Sequence, residues 1–198
     1  TMTTGTSNSY GGAWGDYDGD GDLDLSVAGG TNVLWRNDGS DAFTDVTSAA
    51  GISVSIAKKS TSWVDFDRDG DLDLYWSGNG SNKLYSNDGD GTFSVTSQAA
   101  NGSYSTGSTW GDYDGDGDPD LYVVNDGAQN KLYRNDAGVL TPLSGVAAEG
   151  SAGRGAAWGD YDDDGDLDLY MTNYSGSGVS NVLYRNDGGD AFSDVSST

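Results

Sequence analysis

Histidine and cysteine are both absent from the 198 residues of the chain. Without cysteine, disulfides and thiolate metal sites are excluded. Without histidine, the chain has no imidazole general base, no Ser–His or Cys–His nucleophile pair and no imidazole ligand for zinc. No apolar run approaches the length that spans a bilayer, so membrane insertion is not expected. The commonest catalytic and metal-binding side chains are therefore missing, and any site must be built from other groups.

Positive charge is also scarce, because nine Lys and Arg stand against 32 Asp and Glu, giving a formal net charge of −23. Only one of the acidic residues, Glu149, is a glutamate. A solvated acidic surface would mix both types, so this bias indicates that short carboxylate arms are needed at fixed places. The acidity argues against nucleic-acid and anionic-membrane partners, which need basic surfaces. Six Trp and twelve Tyr are too many for a disordered acidic tail.

What the chain does contain is a motif of alternating aspartates led by a tryptophan, present four times. The copies are WGDYDGDGDLDL, WVDFDRDGDLDLY, WGDYDGDGDPDLY and WGDYDDDGDLDLY, and they begin at Trp14, Trp63, Trp110 and Trp158. Their spacings of 49, 47 and 48 residues are close to the length of a propeller blade. A second motif follows each copy, as NVLWRNDG, NKLYSNDG, NKLYRNDAG and NVLYRNDGG. The chain is thus predicted to be a single repeat domain over 1–198.

Each unit is predicted to form short β-strands separated by Gly, Asn and Asp. Hydrophobic residues alternate at Leu23, Leu25 and Val27, which is the period of a strand. The NDG triplet before a new hydrophobic run predicts a hairpin turn, because Asn and Gly tolerate positive φ. About four strands per unit predict an all-β fold, a β-propeller of four four-stranded blades or a four-blade segment or half of a larger propeller. The blades are expected at approximately 8–50, 51–99, 100–146 and 147–198.

The aspartate motif matches the front of a calcium-binding loop. Asp16, Asp18 and Asp20 hold positions one, three and five, Gly21 holds the sharp turn at six, and the loop continues through positions seven and nine. Oxygen-only ligands favour a hard cation, and magnesium is less favoured because it prefers few carboxylates. The other three motifs align residue by residue. The predicted ligands are Asp16, Asp18, Asp20, Asp22, Asp24, Asp65, Asp67, Asp69, Asp71, Asp73, Asp112, Asp114, Asp116, Asp118, Asp120, Asp160, Asp162, Asp164, Asp166 and Asp168.

Four copies in register predict four Ca²⁺ sites, one per repeat, rather than acidic turns that merely aid solubility. Position seven is expected to offer its backbone carbonyl and position nine to close the ligand shell. A true EF-hand is disfavoured, because strand-like segments follow each loop and the bidentate glutamate at position twelve is missing.

These motifs resemble the FG-GAP/VCBS repeats of integrin-α-type β-propellers, over nearly the whole chain. The resemblance implies four-stranded blades with calcium in the hairpin between the first and second strands. It also implies a secreted or cell-surface protein that serves adhesion, ligand binding or carbohydrate recognition. Typical members carry around seven blades and this chain has four. Blades one and four could meet, two chains could form an eight-bladed ring, or the chain could be one segment of a longer array.

The expected function is that of an extracellular, non-catalytic calcium-binding module for adhesion or ligand binding, with a protein or a glycan as partner. One alternative is a lectin, and another is a structural subunit that self-associates through its terminal blades into a ring or filament. The four repeated tryptophans are predicted to pack between blades rather than to stack on sugars. Aromatic residues outside the repeat are the better ligand-binding candidates, and these are Trp76, Tyr104 and Tyr174. The recurring Arg36, Arg134 and Arg185 are predicted to pair with nearby carboxylates.

Overall fold

The computed structural model describes residues 8–53, 57–98, 104–145, 147, 152–174, 176 and 178–196. Within these ranges the chain forms sixteen β-strands and no α-helix. No helix in the described part of the chain is long and apolar enough to cross a membrane. The strands make four antiparallel sheets, each containing four strands in chain order. The predicted all-β fold of four four-stranded blades is thus confirmed.

The four sheets are named blades 1 to 4, and their strands are as follows. Blade 1 contains β1 (Ser9–Gly15), β2 (Asp24–Gly29), β3 (Val33–Asn37) and β4 (Phe43–Asp45). Blade 2 contains β5 (Lys58–Val64), β6 (Asp73–Gly78), β7 (Lys83–Asn87) and β8 (Phe93–Val95). Blade 3 contains β9 (Ser105–Gly111), β10 (Asp120–Asn125), β11 (Lys131–Asn135) and β12 (Leu140–Pro142). Blade 4 contains β13 (Gly153–Gly159), β14 (Asp168–Asn173), β15 (Val182–Asn186) and β16 (Phe192–Asp194).

The strand register shows which residues form the connections between the paired strands of each blade. In blade 1 the pairing of β1 with β2 sets Gly15 opposite Asp24, so the acidic residues between them form the connecting loop. The pairing of β3 with β4 sets Asn37 opposite Phe43, which places the NDG triplet in the turn, as predicted. Blade 3 departs in sequence, with Leu140 opposite Asn135, yet its fourth strand still pairs. The repeat in sequence is therefore a repeat in register.

The chain divides into two compact units, Thr1–Gly102 with blades 1 and 2, and Ser103–Thr198 with blades 3 and 4. The core of the first unit includes the fully buried Leu34, Leu74 and Trp76. The core of the second includes the fully buried Leu169 and Met171 together with Tyr122. These six residues lie on the second and third strands of their blades, and the burial of their side chains removes apolar surface from water.

A tryptophan joins the two blades of each unit. In the first unit the Trp63 ring stacks on Tyr17, with centroids 5.8 Å apart and planes 3° apart. Trp63 Nε1 also donates a hydrogen bond of 3.1 Å to the Ala13 carbonyl. In the second unit Trp158 stacks on Tyr113 at 6.0 Å and 13°. The predicted packing role therefore holds for Trp63 and Trp158.

The aromatic residues differ in exposure more than their sequence contexts suggest. Trp76, predicted as a ligand-binding candidate, is fully buried, and its Nε1 donates a 2.8 Å hydrogen bond to Ser26 Oγ. The prediction for Trp76 is wrong, because this side chain fills the core at a position where the other blades have smaller residues. Tyr104 and Tyr174 are 58% and 56% exposed. The repeated Trp14 is 55% exposed and contacts Phe43 of its own blade, so the prediction that it packs between blades is wrong.

Candidate metal centres

The acidic residues of each repeat form the loop between the first two strands of its blade. Loop 1 spans residues 16–24, loop 2 spans 65–73, loop 3 spans 112–120 and loop 4 spans 160–168. The glycine at position six has a φ of 94°, 100°, 95° and 99° in loops 1 to 4. A side chain is strained at this φ, so the turn requires the glycine that the motif supplies. The reversal brings the two ends of the loop together.

Three carboxylates of each loop converge. One oxygen from each of positions one, three and nine lies within 4.8 Å of the other two. The clusters are Asp16, Asp18 and Asp24; Asp65, Asp67 and Asp73; Asp112, Asp114 and Asp120; and Asp160, Asp162 and Asp168. Because Ca²⁺ lies about 2.3–2.6 Å from its oxygen ligands, two ligands of one ion are at most about 5 Å apart. Each cluster thus has the spacing of a cation site, and could hold a metal ion.

Positions five and seven lie outside these clusters. In loop 1 the Asp20 side chain accepts a 2.8 Å hydrogen bond from the Asp22 backbone N–H, which stabilises the turn. The same bond recurs in loops 2, 3 and 4 at 2.9, 2.8 and 3.0 Å. The eight residues at these positions stay predicted ligands, and they are Asp20, Asp22, Asp69, Asp71, Asp116, Asp118, Asp164 and Asp166.

The carboxylate at position nine is buried and held by two backbone amides. Asp24 Oδ2 accepts from the Tyr17 N–H at 3.1 Å, and its Oδ1 accepts from the Asn37 N–H at 2.8 Å. Loop 2 repeats this with Asp73, which is fully buried and accepts from Phe66 and Asn87. Loops 3 and 4 do the same with Asp120 and Asp168. These bonds fix the position of the oxygen that faces the other two carboxylates.

Burial changes the acidity of these carboxyl groups. It raises the pKa of Asp24 to about 6, and the pKa values of Asp73 and Asp120 to about 7, against the pull of the two amides. At position three, burial and then the neighbouring carboxylate raise the pKa of Asp18 and Asp67. The clusters therefore disfavour negative charge when no cation balances it.

The carboxylate at position one has a buried oxygen without a hydrogen-bond partner in three loops. In loop 1 Asp16 Oδ2 accepts from the Gly21 N–H at 3.0 Å, while its Oδ1 is enclosed and unpartnered. Asp65 Oδ1 and Asp112 Oδ1 share this state in loops 2 and 3, and so does Asp67 Oδ1 at position three of loop 2. A buried oxygen without a donor is costly, and a cation relieves that cost. The arrangement fits a hard metal ion bound by oxygen.

Loop 4 differs from the other three. Asp160 Oδ1 accepts a 3.1 Å hydrogen bond from the Asp164 N–H, so this oxygen already has a donor. Asp160 and Asp162 are exposed, and only Asp168 of the cluster is buried. Tyr161 at position two is 50% exposed, whereas Tyr17, Phe66 and Tyr113 are 2–4% exposed. The same motif is thus far more solvated in loop 4.

The asparagine of the NDG turn is a site residue that the sequence analysis assigned only to the turn. Asn87 donates from its side chain to the Tyr17 carbonyl at 2.8 Å, reaching from blade 2 to loop 1. Its backbone N–H holds Asp73 of loop 2. Asn186 makes the same pair of contacts, to the Tyr113 carbonyl and to Asp168. The asparagine recurs in all four repeats, and this recurrence was the sequence signal that could have identified it as a site residue.

The profile of the FG-GAP-like repeat family matches three overlapping stretches of the chain, residues 16–76, 65–123 and 112–171. Together these stretches include all four loops. No curated protein sequence matches the chain.

Eighteen chains of known structure are similar to this one, and they include a fungal lectin and a component of a protein complex. An Agrocybe aegerita lectin with specific recognition of non-reducing terminal N-acetylglucosamine is 17% identical, with a TM-score of 0.59. BBS1N in complex with ARL6DN, from a crystal soaked with lead, is 12% identical with the same TM-score. Each similarity covers 95% of this chain but 52% and 56% of the other chain, so this chain spans about half their length. At such identities the likeness supports the fold alone.

Proposed function

The chain belongs to the FG-GAP-like repeat family, and from that premise we propose that it is an extracellular binding module whose blades are stabilised by calcium. Four Ca²⁺ ions bind, one in each loop. The module is non-catalytic, and its ligand is a protein or a glycan.

The observation that carries the proposal is the set of enclosed, unpartnered carboxylate oxygens, Asp16 Oδ1, Asp65 Oδ1, Asp67 Oδ1 and Asp112 Oδ1. Three carboxylates in one cluster favour Ca²⁺ over Mg²⁺, which keeps its waters and takes one or two carboxylates. Four divalent ions add eight positive charges, which takes the formal net charge from −23 to −15. Calcium thus relieves both the local and the overall repulsion.

Calcium stabilises a blade because its ligands lie on different parts of that blade. In blade 1 Asp16 and Asp18 belong to the loop, while Asp24 begins β2 and accepts from Asn37 at the end of β3. An ion bound to all three therefore ties the loop to two strands. Since an unfolded chain has no such preformed site, the free energy of calcium binding adds to the free energy of folding. Extracellular calcium is abundant enough to fill sites of modest affinity.

The non-catalytic role follows from the assignment of the acidic groups. The carboxyls whose pKa values burial raises to about 6 or 7 are Asp24, Asp73 and Asp120, and each belongs to a proposed calcium site. A coordinated carboxylate is a poor proton donor. The chain has neither histidine nor cysteine to replace it. The repeated acidic residues therefore serve the metal and not a reaction.

A glycan is the favoured ligand class, because the first unit contains a polar cavity beside loop 1. The cavity has a volume of about 560 Å³ and is lined by Tyr17, Asp18, Arg36 and Thr92 among others. A sugar needs hydrogen-bond donors and acceptors together, and these residues supply both. A glycan is also the ligand of one protein with this fold, the Agrocybe aegerita lectin that recognises N-acetylglucosamine.

Two measurements test this function. Thermal unfolding in millimolar calcium and in excess chelator tests the structural role of the ion, and we expect a large fall in the midpoint on chelation. A glycan array probed in calcium tests the ligand class, and we expect saturable binding to a restricted set of glycans. An unchanged unfolding midpoint would contradict the structural role of calcium. An array without any bound glycan would contradict the assignment of a glycan ligand.

A further inference from the structure

The cavity of the first unit lies beside loop 1 and the turn between β7 and β8. Its lining includes the Tyr17 ring, the Arg36 guanidinium and Gly91 of that turn. Arg36 pairs with the neighbouring Asp38 at 2.8 Å. Within the described residues, the Tyr17 hydroxyl makes no hydrogen bond and Arg36 has no second carboxylate partner. An arginine and a phenol thus border an open space.

In the second unit a carboxylate of the protein itself joins the equivalent two groups. Asp190 Oδ2 accepts from Arg134 Nη1 at 3.0 Å, and Asp190 Oδ1 accepts from the Tyr113 hydroxyl. Arg134 also pairs with its neighbour Asp136 at 3.3 Å, as Arg36 does with Asp38. The second unit therefore places a carboxylate against an Arg–Tyr pair that corresponds to the pair in the first unit.

Gly91 and Asp190 hold the same place in their blades. The register sets Asn87 opposite Phe93 in blade 2, and Asn186 opposite Phe192 in blade 4, so each residue stands two before the phenylalanine. The turns share a hydrogen bond, from the Asp88 N–H to the Thr92 carbonyl at 2.9 Å, and from the Asp187 N–H to the Ala191 carbonyl at 2.8 Å. Both residues have positive φ, 85° for Gly91 and 65° for Asp190.

We propose that the cavity of the first unit binds the carboxylate group of a ligand, which occupies the place that Asp190 takes in the second unit. The Arg36 guanidinium and the Tyr17 hydroxyl donate to the two carboxylate oxygens. Charge-assisted hydrogen bonds of this kind are short and directional. Gly91 supplies the room that the ligand needs. The inference rests on the proposed binding function and names the chemistry of the ligand.

The acidity of the cavity does not oppose this assignment. The lining has four carboxylates, Asp18, Asp20, Asp71 and Asp90. The first three have equivalents in the loops of the second unit, Asp114, Asp116 and Asp166, whereas Gly189 stands at the place of Asp90. Asp90 already accepts from the Thr92 N–H and hydroxyl. Asp190 is nevertheless held as an ion pair in the second unit. Calcium in the loops lowers the negative charge further, so we expect the carboxylate to bind more weakly in chelator.

Equilibrium dialysis in excess calcium tests the proposal with three radiolabelled probes. D-glucuronate carries the carboxylate on a sugar, N-acetylaspartate amide carries it on a peptide-like group, and D-glucose is the neutral control. We expect one equivalent of a carboxylate probe to bind, at least tenfold more tightly than glucose. Tighter binding of glucuronate assigns an acidic sugar, and tighter binding of the aspartate derivative assigns an acidic peptide.

Two substitutions in opposite directions sharpen the test. Gly91→Asp supplies an internal carboxylate and should weaken probe binding at least tenfold, whereas Asp190→Gly should open a second site and raise the stoichiometry from one to two. A Cβ at Gly91 meets no atom within 4 Å, and Asp190 shows that aspartate accepts this backbone. Asp41→Gly is the matched control, because Asp41 holds the equivalent turn position in blade 1 but lies outside the cavity lining, and this variant should keep the wild-type stoichiometry.

The failure of this inference is distinguishable from the failure of the proposed function. If neither carboxylate probe binds while calcium still raises the unfolding midpoint and an array still shows a neutral glycan, the carboxylate assignment is overturned and the binding function stands. Equal probe binding by wild type and Gly91→Asp would also overturn it, since the site would then lie elsewhere. The thermal midpoint of each variant in calcium verifies its folding.

Discussion

Loop 2 and loop 4 carry almost the same motif, DFDRDGDLD and DYDDDGDLD, but the protein surrounds them differently. In loop 2 Asp65 and Asp67 each have an enclosed oxygen without a hydrogen-bond partner, and Phe66 is 3% exposed. In loop 4 a backbone N–H already donates to Asp160 Oδ1, and Tyr161 is 50% exposed. Water can therefore solvate much of loop 4 and little of loop 2.

The difference teaches that the motif sets the ligand positions, while burial sets how much the site needs a cation. Enclosed carboxylates repel one another in a medium that screens them poorly, so a cation brings a large gain there. Exposed carboxylates are already solvated and gain less. We therefore expect loop 2 to bind calcium more tightly than loop 4, even though sequence comparison ranks them as equals.

Withdrawal of calcium should give the largest effect and should break the equality of the loops. An ion at a hundredfold excess over its Kd stabilises the folded state by about 2.7 kcal/mol, and four such ions approach the whole stability of an ordinary domain. We expect the unfolding midpoint to fall by more than about 10 °C in chelator. Native mass spectrometry during a chelator titration should show one ion lost early and three retained longer. Simultaneous loss of all four would contradict the ranking.

Substitution at position nine should give the next largest effect. Asp73→Asn keeps the shape of the side chain but presents an amide group to the Phe66 and Asn87 N–H donors, and each charge-assisted hydrogen bond lost costs about 1.5–3 kcal/mol. Asp168→Asn should cost less in calcium, because its loop gains less from the ion. Denaturant unfolding in calcium measures both. Asp41→Asn, at an exposed turn, is the matched control and should change stability by less than about 0.5 kcal/mol.

Substitution at position one should give different losses of stability in loop 2 and loop 4. Asp65→Asn removes the negative charge next to an enclosed oxygen that only a cation satisfies, and should cost about 1–3 kcal/mol in calcium. Asp160→Asn should cost less than about 1 kcal/mol, since the equivalent oxygen already accepts from the Asp164 N–H. The measurement is the unfolding free energy in calcium, with the number of bound ions counted for each variant. Equal costs would show that burial does not rank the sites.

The pH dependence of the calcium-free protein tests the burial of position nine without any ion. Burial raises the pKa of Asp73 to about 7 from the ordinary value of 3.8, so the folded state retains a proton that the unfolded chain has released between these values. Its contribution to stability is complete below pH 3.8 and is lost as the pH rises through about 7. We therefore expect stability in chelator to fall as the pH rises from about 4 to about 7, and Asp73→Asn to flatten this slope. In calcium the trend should reverse, because the ion needs the ionised carboxylate. Thermal midpoints across this range, with and without chelator, measure both trends.

Features that repeat were predictable from the sequence, because a pattern present in four aligned copies is unlike a chance match. The blade count, the loop between the first two strands and the turn glycine all belong to this class. The stacking of Trp63 and Trp158 was predictable as well, since equivalent aromatic residues in every blade favour packing, but the same prediction is wrong for the exposed Trp14. Periodicity therefore carried the fold and the position of the candidate sites.

Features that break the repeat were not predictable, because they depend on what packs around a residue. Trp76 lies in a β-strand at a position where the other blades have smaller residues, and its side chain is fully buried, so it is not available to a ligand. The solvation of loop 4 has no signal in its motif. The contrast between Gly91 and Asp190 is visible in the sequence, but its meaning required the register that places both beside an Arg–Tyr pair.

The order of strands within each sheet is compatible with an origin of the chain by tandem duplication. Every sheet is built from four consecutive strands, so a tandem duplication of about 48 residues copies a complete blade with its acidic loop. The copy also carries the tryptophan and asparagine that reach the preceding blade, as Trp63 and Asn87 do at Tyr17. A duplicated segment would therefore bring its own contacts to the preceding blade, and later divergence at a single turn position, as at Gly91 and Asp190, changes what the Arg–Tyr pair within a unit can bind.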